Sequence, residues 1–202
     1  MSHQPVTAEP SAPAVLALKV QSMGLTDEQF EVLCQDNPNL RIELTSKGEL
    51  IIMPPTGMKT GWRNSSLTQS LAEWTKRDAS GLSFDSSTLF TLPDGSKRSP
   101  DASWMRREKW DTLSAEEQEK SAPIAPDFVI ELRSPSDSWA ILKEKMLDYM
   151  RNGVELAWLI DPANKRVYIY RPNQPVETLD NPETISAQPE LAVFTFNVQE
   201  IW

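Results

Sequence analysis

Cysteine and histidine are almost absent from this sequence. The 202 residues include one cysteine, Cys34, and one histidine, His3. A lone cysteine excludes an internal disulfide and a cysteine metal cluster. A lone histidine near the N-terminus leaves no basis for a Ser-His-Asp triad or a histidine zinc site. Any catalysis must therefore use carboxylates, lysine or arginine, and any metal must be a hard ion held by oxygen atoms.

Long apolar runs and signs of export are also missing. No segment is apolar over the roughly 20 residues that a membrane-spanning helix needs, and the N-terminus lacks the basic region and apolar core of a secretory signal. We therefore expect a cytoplasmic protein without membrane contact. Residues 1–22 mix Pro, Ala, Ser and Val and are expected to form a flexible N-terminal tail. Residues 23–202 are expected to form a single domain, because their number suits one hydrophobic core.

Positive charge is in short supply. The chain has 20 Lys and Arg residues against 29 Asp and Glu residues, a formal net charge of −9. This balance argues against tight, non-specific nucleic-acid binding, which depends on neutralising phosphates with Lys and Arg. It does not exclude an enzyme that acts on nucleic acid, because an acidic metal site itself adds negative charge and a local basic patch can coexist with it.

The spacing of apolar residues and turn residues predicts helices that alternate with short strands. Thr26 and Gln29 form a capping box that begins a helix ending near residue 36. Further helices are predicted over 64–76, within 105–123, and between the turn at 134–137 and Gly153. Strands are predicted over 41–44, 49–53, 87–92, 98–104, 128–132, 154–160, 166–170 and 191–196, with a Pro- and Asn-rich connection over 171–190.

The order of these elements predicts a mixed α/β (α+β) fold. Its hairpins supply antiparallel pairs of strands. The strand–helix–strand unit over 128–160 is expected to be a right-handed crossover between parallel strands. Together they predict a mixed central β-sheet flanked by helices.

Three acidic residues stand in or beside predicted strands. Glu131 interrupts the apolar strand over 128–132, and because side chains alternate along a strand it shares a face with Arg133. Asp101 lies at the start of another strand, and Glu43 lies within the first. If these strands are neighbours, the three carboxylates can converge at one point.

A lysine stands on the apolar face of the helix that follows Glu131. Ile141, Leu142, Lys145 and Tyr149 lie at spacings of three and four residues and so share one stripe, in which Lys145 is the only charge. Three other charged residues of this helix are expected on its opposite, solvent-facing side: Glu144, Asp148 and Arg151.

Converging carboxylates and a lysine suit one kind of chemistry. Carboxylates at one point repel each other, and a divalent cation relieves that repulsion. Mg²⁺ or Mn²⁺ binds through a few carboxylates and several waters, polarises a phosphate and generates a hydroxide-like nucleophile. A nearby lysine can orient the attacking water or offset the phosphate charge. The pattern therefore favours metal-dependent cleavage of a phosphodiester.

The ordered set of motifs resembles the PD-(D/E)XK nuclease superfamily, whose fold is restriction-endonuclease-like, and within it the Uma family of endonucleases. The resemblance spans about residues 25–202. The segments that carry it are Arg41-Ile42-Glu43-Leu44, Met53-Pro54-Pro55-Thr56-Gly57, Arg98-Ser99-Pro100-Asp101, Pro126-Asp127-Phe128-Val129-Ile130-Glu131, Ser134-Pro135-Ser136-Asp137, Lys145 with Tyr149, Gly153-Val154, and Trp158-Leu159-Ile160-Asp161-Pro162.

The resemblance implies roles for five residues. Asp101 and Glu131 would be the ligands of Mg²⁺ or Mn²⁺, and Glu43 an auxiliary acid. The superfamily's lysine lies two residues after the acid, where this chain has Arg133, so the resemblance implies that Lys145 has taken over the contact with water or phosphate. Arg133 would contact phosphate or pair with the acids. The implied substrate is DNA, and a homodimer is expected because two symmetric sites cut both strands most easily.

Simpler interpretations of these residues stay open. Asp101 could end a strand after a proline, and Glu131 and Arg133 could form a structural ion pair on a half-exposed face. Lys145 could extend along the apolar stripe to reach water.

Three further polar residues have two possible interpretations. Lys59, Arg63 and Asn64 could form a phosphate-binding loop at a helix N-terminus, or they could lie in an ordinary solvated loop. On the level of function, the alternative to an endonuclease is a catalytically inactive protein that uses the same scaffold to bind nucleic acid or another protein.

Overall fold

The computed structural model describes residues 15–120 and 122–202. Its helices are α1 (Asp27–Asp36), α2 (Met58–Asp78), α3 (Arg107–Trp110), α4 (Ala115–Gln118) and α5 (Trp139–Arg151), with single 3₁₀ turns at Gln21–Met23 and Val198–Ile201. Its strands are β1 (Leu16–Lys19), β2 (Arg41–Leu44), β3 (Glu49–Met53), β4 (Gly81–Asp85), β5 (Phe90–Thr91), β6 (Lys97–Arg98), β7 (Ala102–Arg106), β8 (Phe128–Leu132), β9 (Leu156–Asp161), β10 (Arg166–Tyr170), β11 (Glu177–Asp180), β12 (Thr184–Ser186) and β13 (Thr195–Asn197).

A six-stranded sheet forms the centre of the fold, in the order β11-β10-β9-β8-β7-β4. Strands β8 and β9 are parallel and are joined through α5, while the other neighbours are antiparallel. The parallel crossover and the mixed central sheet predicted from the sequence are therefore confirmed. None of the helices among the described residues is both long and apolar enough to cross a membrane.

The central sheet is covered on both faces because its middle strands are apolar on both sides. Phe128, Ile130 and Leu132 of β8 face one cluster, which includes residues of α2 and of the C-terminal segment. Val129 faces the other cluster, which includes residues of α5. All five residues of β8 are buried, so Glu131 on the α5 side is buried as well.

A second sheet, in the order β1-β3-β2-β6-β5, carries Glu43 on its middle strand. The predicted hairpin is present, with Ile42 opposite Ile52 in the antiparallel pair of β2 and β3. Strand β1 pairs with β3 at the edge. The predicted tail over 1–22 therefore needs correction at Leu16–Lys19, which forms this edge strand, while residues 1–14 lie outside the described residues.

Several predicted boundaries are wrong for identifiable physical reasons. The strand predicted over 87–92 is shortened to β5, and β4 before it was not predicted. The two are separate because the Asp85 carboxylate accepts hydrogen bonds from the Ser87 amide and hydroxyl and turns the chain there. The strand predicted over 98–104 is divided into β6 and β7 around Pro100, whose nitrogen carries no hydrogen for a ladder.

Helix α2 begins at Met58 rather than near residue 64, with Gly57 at its N-cap. The predicted connection over 171–190 contains β11 and β12, and the last strand is β13 rather than 191–196.

The capping box of α1 is formed as predicted. The Thr26 hydroxyl accepts from the Gln29 amide at 3.2 Å, and the Gln29 side chain accepts from the Thr26 amide at 3.0 Å. This cap fixes the start of a helix whose Phe30 is fully buried. We expect Thr26→Ala to lower the free energy of unfolding by about 1 kcal/mol, measured by urea denaturation. Thr26→Ser keeps the hydroxyl and should stay close to the wild type; equal losses in both variants would contradict the capping role.

Candidate active site

A cavity of about 310 Å³ lies at the C-terminal end of β8. Its lining comes from β2 and β3, the first turns of α2 and α5, and the residues that follow β8. The structure brings together in this lining the four residues predicted as catalytic: Glu43, Asp101, Glu131 and Lys145. They come from β2, the residue before β7, β8 and α5, so the folded sheets are needed to assemble them.

Lys145 joins two of the carboxylates. Its Nζ lies 2.7 Å from Oε1 of Glu43 and 2.7 Å from Oε1 of Glu131, and it also donates to the Ser99 carbonyl at 3.0 Å. The three charged side chains are at most 5% exposed. Buried charges of this kind are tolerated when they are paired and hydrogen-bonded. Lys145 is thus buried, and the alternative in which it extends to water does not apply.

Arg98 holds Glu43 from the side away from Lys145. Its Nη1 lies 3.1 Å from Oε2 of Glu43, and its Nη2 pairs with Asp148. The Ser99 amide donates to Oε1 of Glu43 at 3.0 Å. Burial alone would raise the pKa of Glu43, but the charges of Lys145, Arg98 and a further arginine outweigh it and lower that pKa. Glu43 is therefore held as a carboxylate.

The position predicted for Asp148 is wrong. We expected it on the solvent-facing side of its helix, but its side chain is 2% exposed and pairs with both Arg98 and Arg151. Arg98, from β6, packs against the flank of α5 and supplies the charge that allows Asp148 to be buried. The other two charged residues expected on that side, Glu144 and Arg151, are 42% and 51% exposed.

Glu131 is a buried carboxylate whose ionised form is opposed by burial and by two neighbouring carboxylates. The Tyr149 hydroxyl donates to its Oε1 at 2.8 Å. Burial, together with the negative charges of Asp101 and Glu43, raises the pKa of Glu131, although Lys145 opposes the shift. A cation beside this carboxylate would offset the repulsion from its neighbours.

Asp101 is held by donors on both of its oxygen atoms. Oδ1 accepts from Arg41 Nη1 at 3.1 Å and from Asn64 Nδ2 at 3.2 Å, and Oδ2 accepts from the Leu132 amide at 2.8 Å. Arg41 also donates to the Ser99 carbonyl. Burial would lower the pKa of Arg41, but its carboxylate neighbours outweigh that effect and raise it.

The sequence did not predict that Arg41 and Asn64 contact Asp101. Arg41 lies two residues before Glu43 on the same strand, so the alternation of side chains could have placed both on one face. Asn64 is predicted from the sequence only as part of a phosphate-binding or solvated loop; it lies within α2 instead, and a phosphate contact by it stays a prediction.

The oxygen atoms of the cavity fit a hard divalent cation. No group of three or more His, Cys, Asp or Glu residues within 15–120 and 122–202 is placed to hold a metal. Four acidic residues line the same cavity, namely Glu43, Asp101, Glu131 and Asp137, and two of them, Asp101 and Glu131, are the ligands predicted from the sequence. This is compatible with Mg²⁺, which is usually held by one or two carboxylates together with waters and substrate phosphates.

Arg133 is placed differently from the prediction that it pairs with the site acids. Its Nη1 pairs with Asp161 at 2.7 Å, and its guanidinium lies 5.4 Å from the ring centroid of Trp139. Arg133 is not among the described residues that line the cavity. A phosphate contact by its half-buried guanidinium stays a prediction.

Lys59 and Arg63 lie within the first turns of α2 instead of in a loop before it. The Lys59 side chain is exposed. The Arg63 Nε donates to the Ile201 carbonyl at 2.6 Å, and burial lowers the pKa of Arg63. Arg63 therefore ties α2 to the C-terminal segment, while a phosphate contact by either residue stays a prediction.

Comparisons with known proteins show the family and the fold of this chain. Residues 27–199 match the model of the Uma2 family, described as "Putative restriction endonuclease". A crystal structure from Anabaena variabilis ATCC 29413, described as "a putative nuclease belonging to DUF820", matches with a TM-score of 0.70 and 23% identity, over 79% of this chain and 88% of that chain. At that identity the likeness shows the fold alone. The comparison with curated proteins found no match. The family match covers most of the chain and confirms the resemblance carried by its motifs: this protein belongs to the Uma2 family.

Proposed function

We propose that this protein is an endonuclease that hydrolyses phosphodiester bonds in DNA with the help of Mg²⁺ or Mn²⁺. The observation that carries the proposal is the meeting of Asp101, Glu131 and Lys145 in one cavity. Family membership supports a nuclease-like activity. The metal and the DNA substrate are our inference from the chemistry of these side chains.

Each residue has a role that follows from its contacts. Asp101 and Glu131 would hold the cation, which when bound polarises the scissile phosphate and acidifies a coordinated water. Lys145 would donate to the attacking water or to a phosphate oxygen, and Glu43, kept ionised by its cationic neighbours, holds the ammonium in place. Arg41 fixes the orientation of Asp101.

The cavity walls suit a phosphate in spite of the acidic chain. Hydroxyl-bearing residues line it on two sides: Thr56 and Thr60 at the start of α2, and Ser134, Ser136 and Ser138 between β8 and α5. Hydroxyl groups can donate to phosphate oxygens without carrying charge. They supply contacts that Lys and Arg provide in more basic nucleic-acid-binding proteins.

The test is cleavage of supercoiled plasmid DNA by purified protein. We expect nicked or linear products with Mg²⁺ or Mn²⁺ and none with a chelator. Asp101→Asn removes the ligand charge with little change in shape, and removing such a group should slow cleavage by at least about 100-fold. Absence of both cleavage and Mn²⁺ binding in the wild type would reject the proposal, and equal cleavage by Asp101→Asn would indicate a contaminating nuclease.

One observation favours the alternative, an inactive protein that binds nucleic acid or a protein partner. Each hydrogen of the Lys145 ammonium has an acceptor available within the chain, namely Glu43, Glu131 and the Ser99 carbonyl. A substrate would have to displace one of them. Thermal unfolding with and without Mn²⁺ separates the two functions, because only a site that binds the ion gains stability from it.

We also propose that the protein acts as a homodimer, since two symmetric sites would cut both strands of DNA. Sedimentation equilibrium gives the mass in solution directly. A mass near the 22.8 kDa of one chain, unchanged when DNA is added, would reject this part of the proposal.

A further inference from the structure

Asn64 lies on the wall of the cavity that α2 provides. Thr60 and Asn64 of α2 and Thr56, which precedes the helix, all line the cavity. Thr60 and Asn64 are four residues apart and so share one side of the helix. Of the three, Asn64 is the residue that forms a hydrogen bond with Asp101.

The hydrogen bond to Asp101 fixes the orientation of the Asn64 amide. Nδ2 of Asn64 lies 3.2 Å from Oδ1 of Asp101. An ionised carboxylate only accepts hydrogen bonds, so the NH₂ group must face Asp101 and the opposite orientation would set two acceptors against each other. The amide oxygen of Asn64 is therefore the atom left for another partner.

That oxygen is buried and has no hydrogen-bond partner among the described residues. Arg41 Nη1 and the Leu132 amide donate to Asp101, whereas the buried Nε of Arg41 likewise has no partner among the described residues. A buried acceptor without a partner is unfavourable. A neutral oxygen atom of a cavity-lining residue thus lies near the carboxylate of Asp101 without a partner, and a donor or a cation there would satisfy it.

We propose that Oδ1 of Asn64 is the third protein oxygen of the divalent-cation site, next to Asp101 and Glu131. The inference rests on the proposed function, because it assumes that the cavity binds Mg²⁺ or Mn²⁺. An amide oxygen is a hard ligand of the kind that such ions accept. One side chain then does two things: its nitrogen orients Asp101 and its oxygen binds the ion.

The test is the affinity of the full-length protein for Mn²⁺, measured by isothermal titration calorimetry in the absence of DNA. We expect Asn64→Ala to weaken binding by about 10- to 100-fold, the loss typical of removing a supporting residue from a metal site. Alanine favours helices more than asparagine does, so the fold should be kept, and circular dichroism checks it. Asn39→Ala is the matched control, because Asn39 lies exposed at the rim of the same cavity and should bind Mn²⁺ like the wild type.

Asn64→Asp distinguishes an oxygen ligand from a residue that only orients Asp101. As a ligand, the new carboxylate supplies both the oxygen and a charge, so we expect Mn²⁺ affinity at least equal to that of the wild type. If Asn64→Asp binds Mn²⁺ no more tightly than Asn64→Ala, the inference is overturned, because a carboxylate at the position of a ligand oxygen would have to strengthen binding. Wild-type affinity in Asn64→Ala overturns it too, while leaving the proposed function intact. Absence of Mn²⁺ binding by the wild type overturns both.

Discussion

A Lys145→Met variant should cleave DNA about 100- to 1,000-fold more slowly than the wild type, the range for a lost hydrogen-bond donor at a developing charge, while binding Mn²⁺ at least as tightly. Cleavage should fall because Lys145 is the cationic donor that reaches both Glu43 and Glu131 inside the cavity. Mn²⁺ binding should hold or improve because the substitution removes a positive charge 2.7 Å from Oε1 of Glu131, a carboxylate that we propose holds the ion. Cleavage rates and Mn²⁺ titrations on the same protein measure the two effects.

The opposite directions of these two effects make the prediction specific. General damage to the site would weaken cleavage and ion binding together. Lys143→Met is the matched control, since Lys143 is exposed two residues earlier on the same helix and should leave both quantities unchanged. Cleavage by Lys145→Met at the wild-type rate would remove Lys145 from the chemistry.

The same substitution should also change stability in a metal-dependent way. Without metal, Glu43 and Glu131 remain buried and lose the cation they share, so the free energy of unfolding should fall by about 3–5 kcal/mol, the cost of breaking a buried ion pair from one side. Saturating Mn²⁺ should recover part of this loss, because the ion binds only the folded site. Urea denaturation with and without Mn²⁺ measures the recovery.

The parts of the site that the sequence predicted are those with a strong local pattern. Glu131 stands out because the residues around it in β8 are apolar and the whole strand is buried. Lys145 stands out because it interrupts an apolar helical stripe, and Leu142 and Tyr149 of that stripe are indeed buried. A charge in such a position must find a partner inside the protein, so the pattern itself carries the information.

The contacts that the sequence did not predict are made between residues that lie far apart in the chain. Asp148 is polar and lies beside exposed residues of α5, and only the arrival of Arg98 from β6 explains its burial. Asn64 is part of the site because it donates a hydrogen bond to Asp101, 37 residues further along the chain. No local spacing encodes these pairs, because the contact is made by the fold rather than by the helix or strand alone.

The strands that the sequence did not predict are edge strands. All four residues of β1 are exposed, as are three of the four in β11, so neither shows the alternation that marks a half-buried strand. Their structure comes from backbone pairing with β3 and β10. Backbone pairing leaves no trace in the side-chain pattern, which explains why these segments resembled tail and connection.

Arg98→Met should have the largest effect on stability after Lys145, lowering the free energy of unfolding by about 3 kcal/mol, the lower end of the range for breaking a buried ion pair. Arg98 is 2% exposed and bridges Glu43 and Asp148, both also buried. The lower end applies because each carboxylate keeps one cation, Lys145 or Arg151. Urea denaturation measures the loss.

The control for Arg98→Met is Arg151→Met, which removes the half-exposed arginine from the other side of Asp148 and should cost less than about 1 kcal/mol. Asp148→Leu combined with Arg98→Met removes the buried charge that the single variant leaves behind, so the double variant should be more stable than Arg98→Met alone. A double variant less stable than Arg98→Met would mean that Asp148 contributes through contacts other than this pair. An Arg98→Met variant as stable as the wild type would show that Lys145 alone suffices to hold Glu43. In that case the support of the cavity would come from α5 and not from the second sheet.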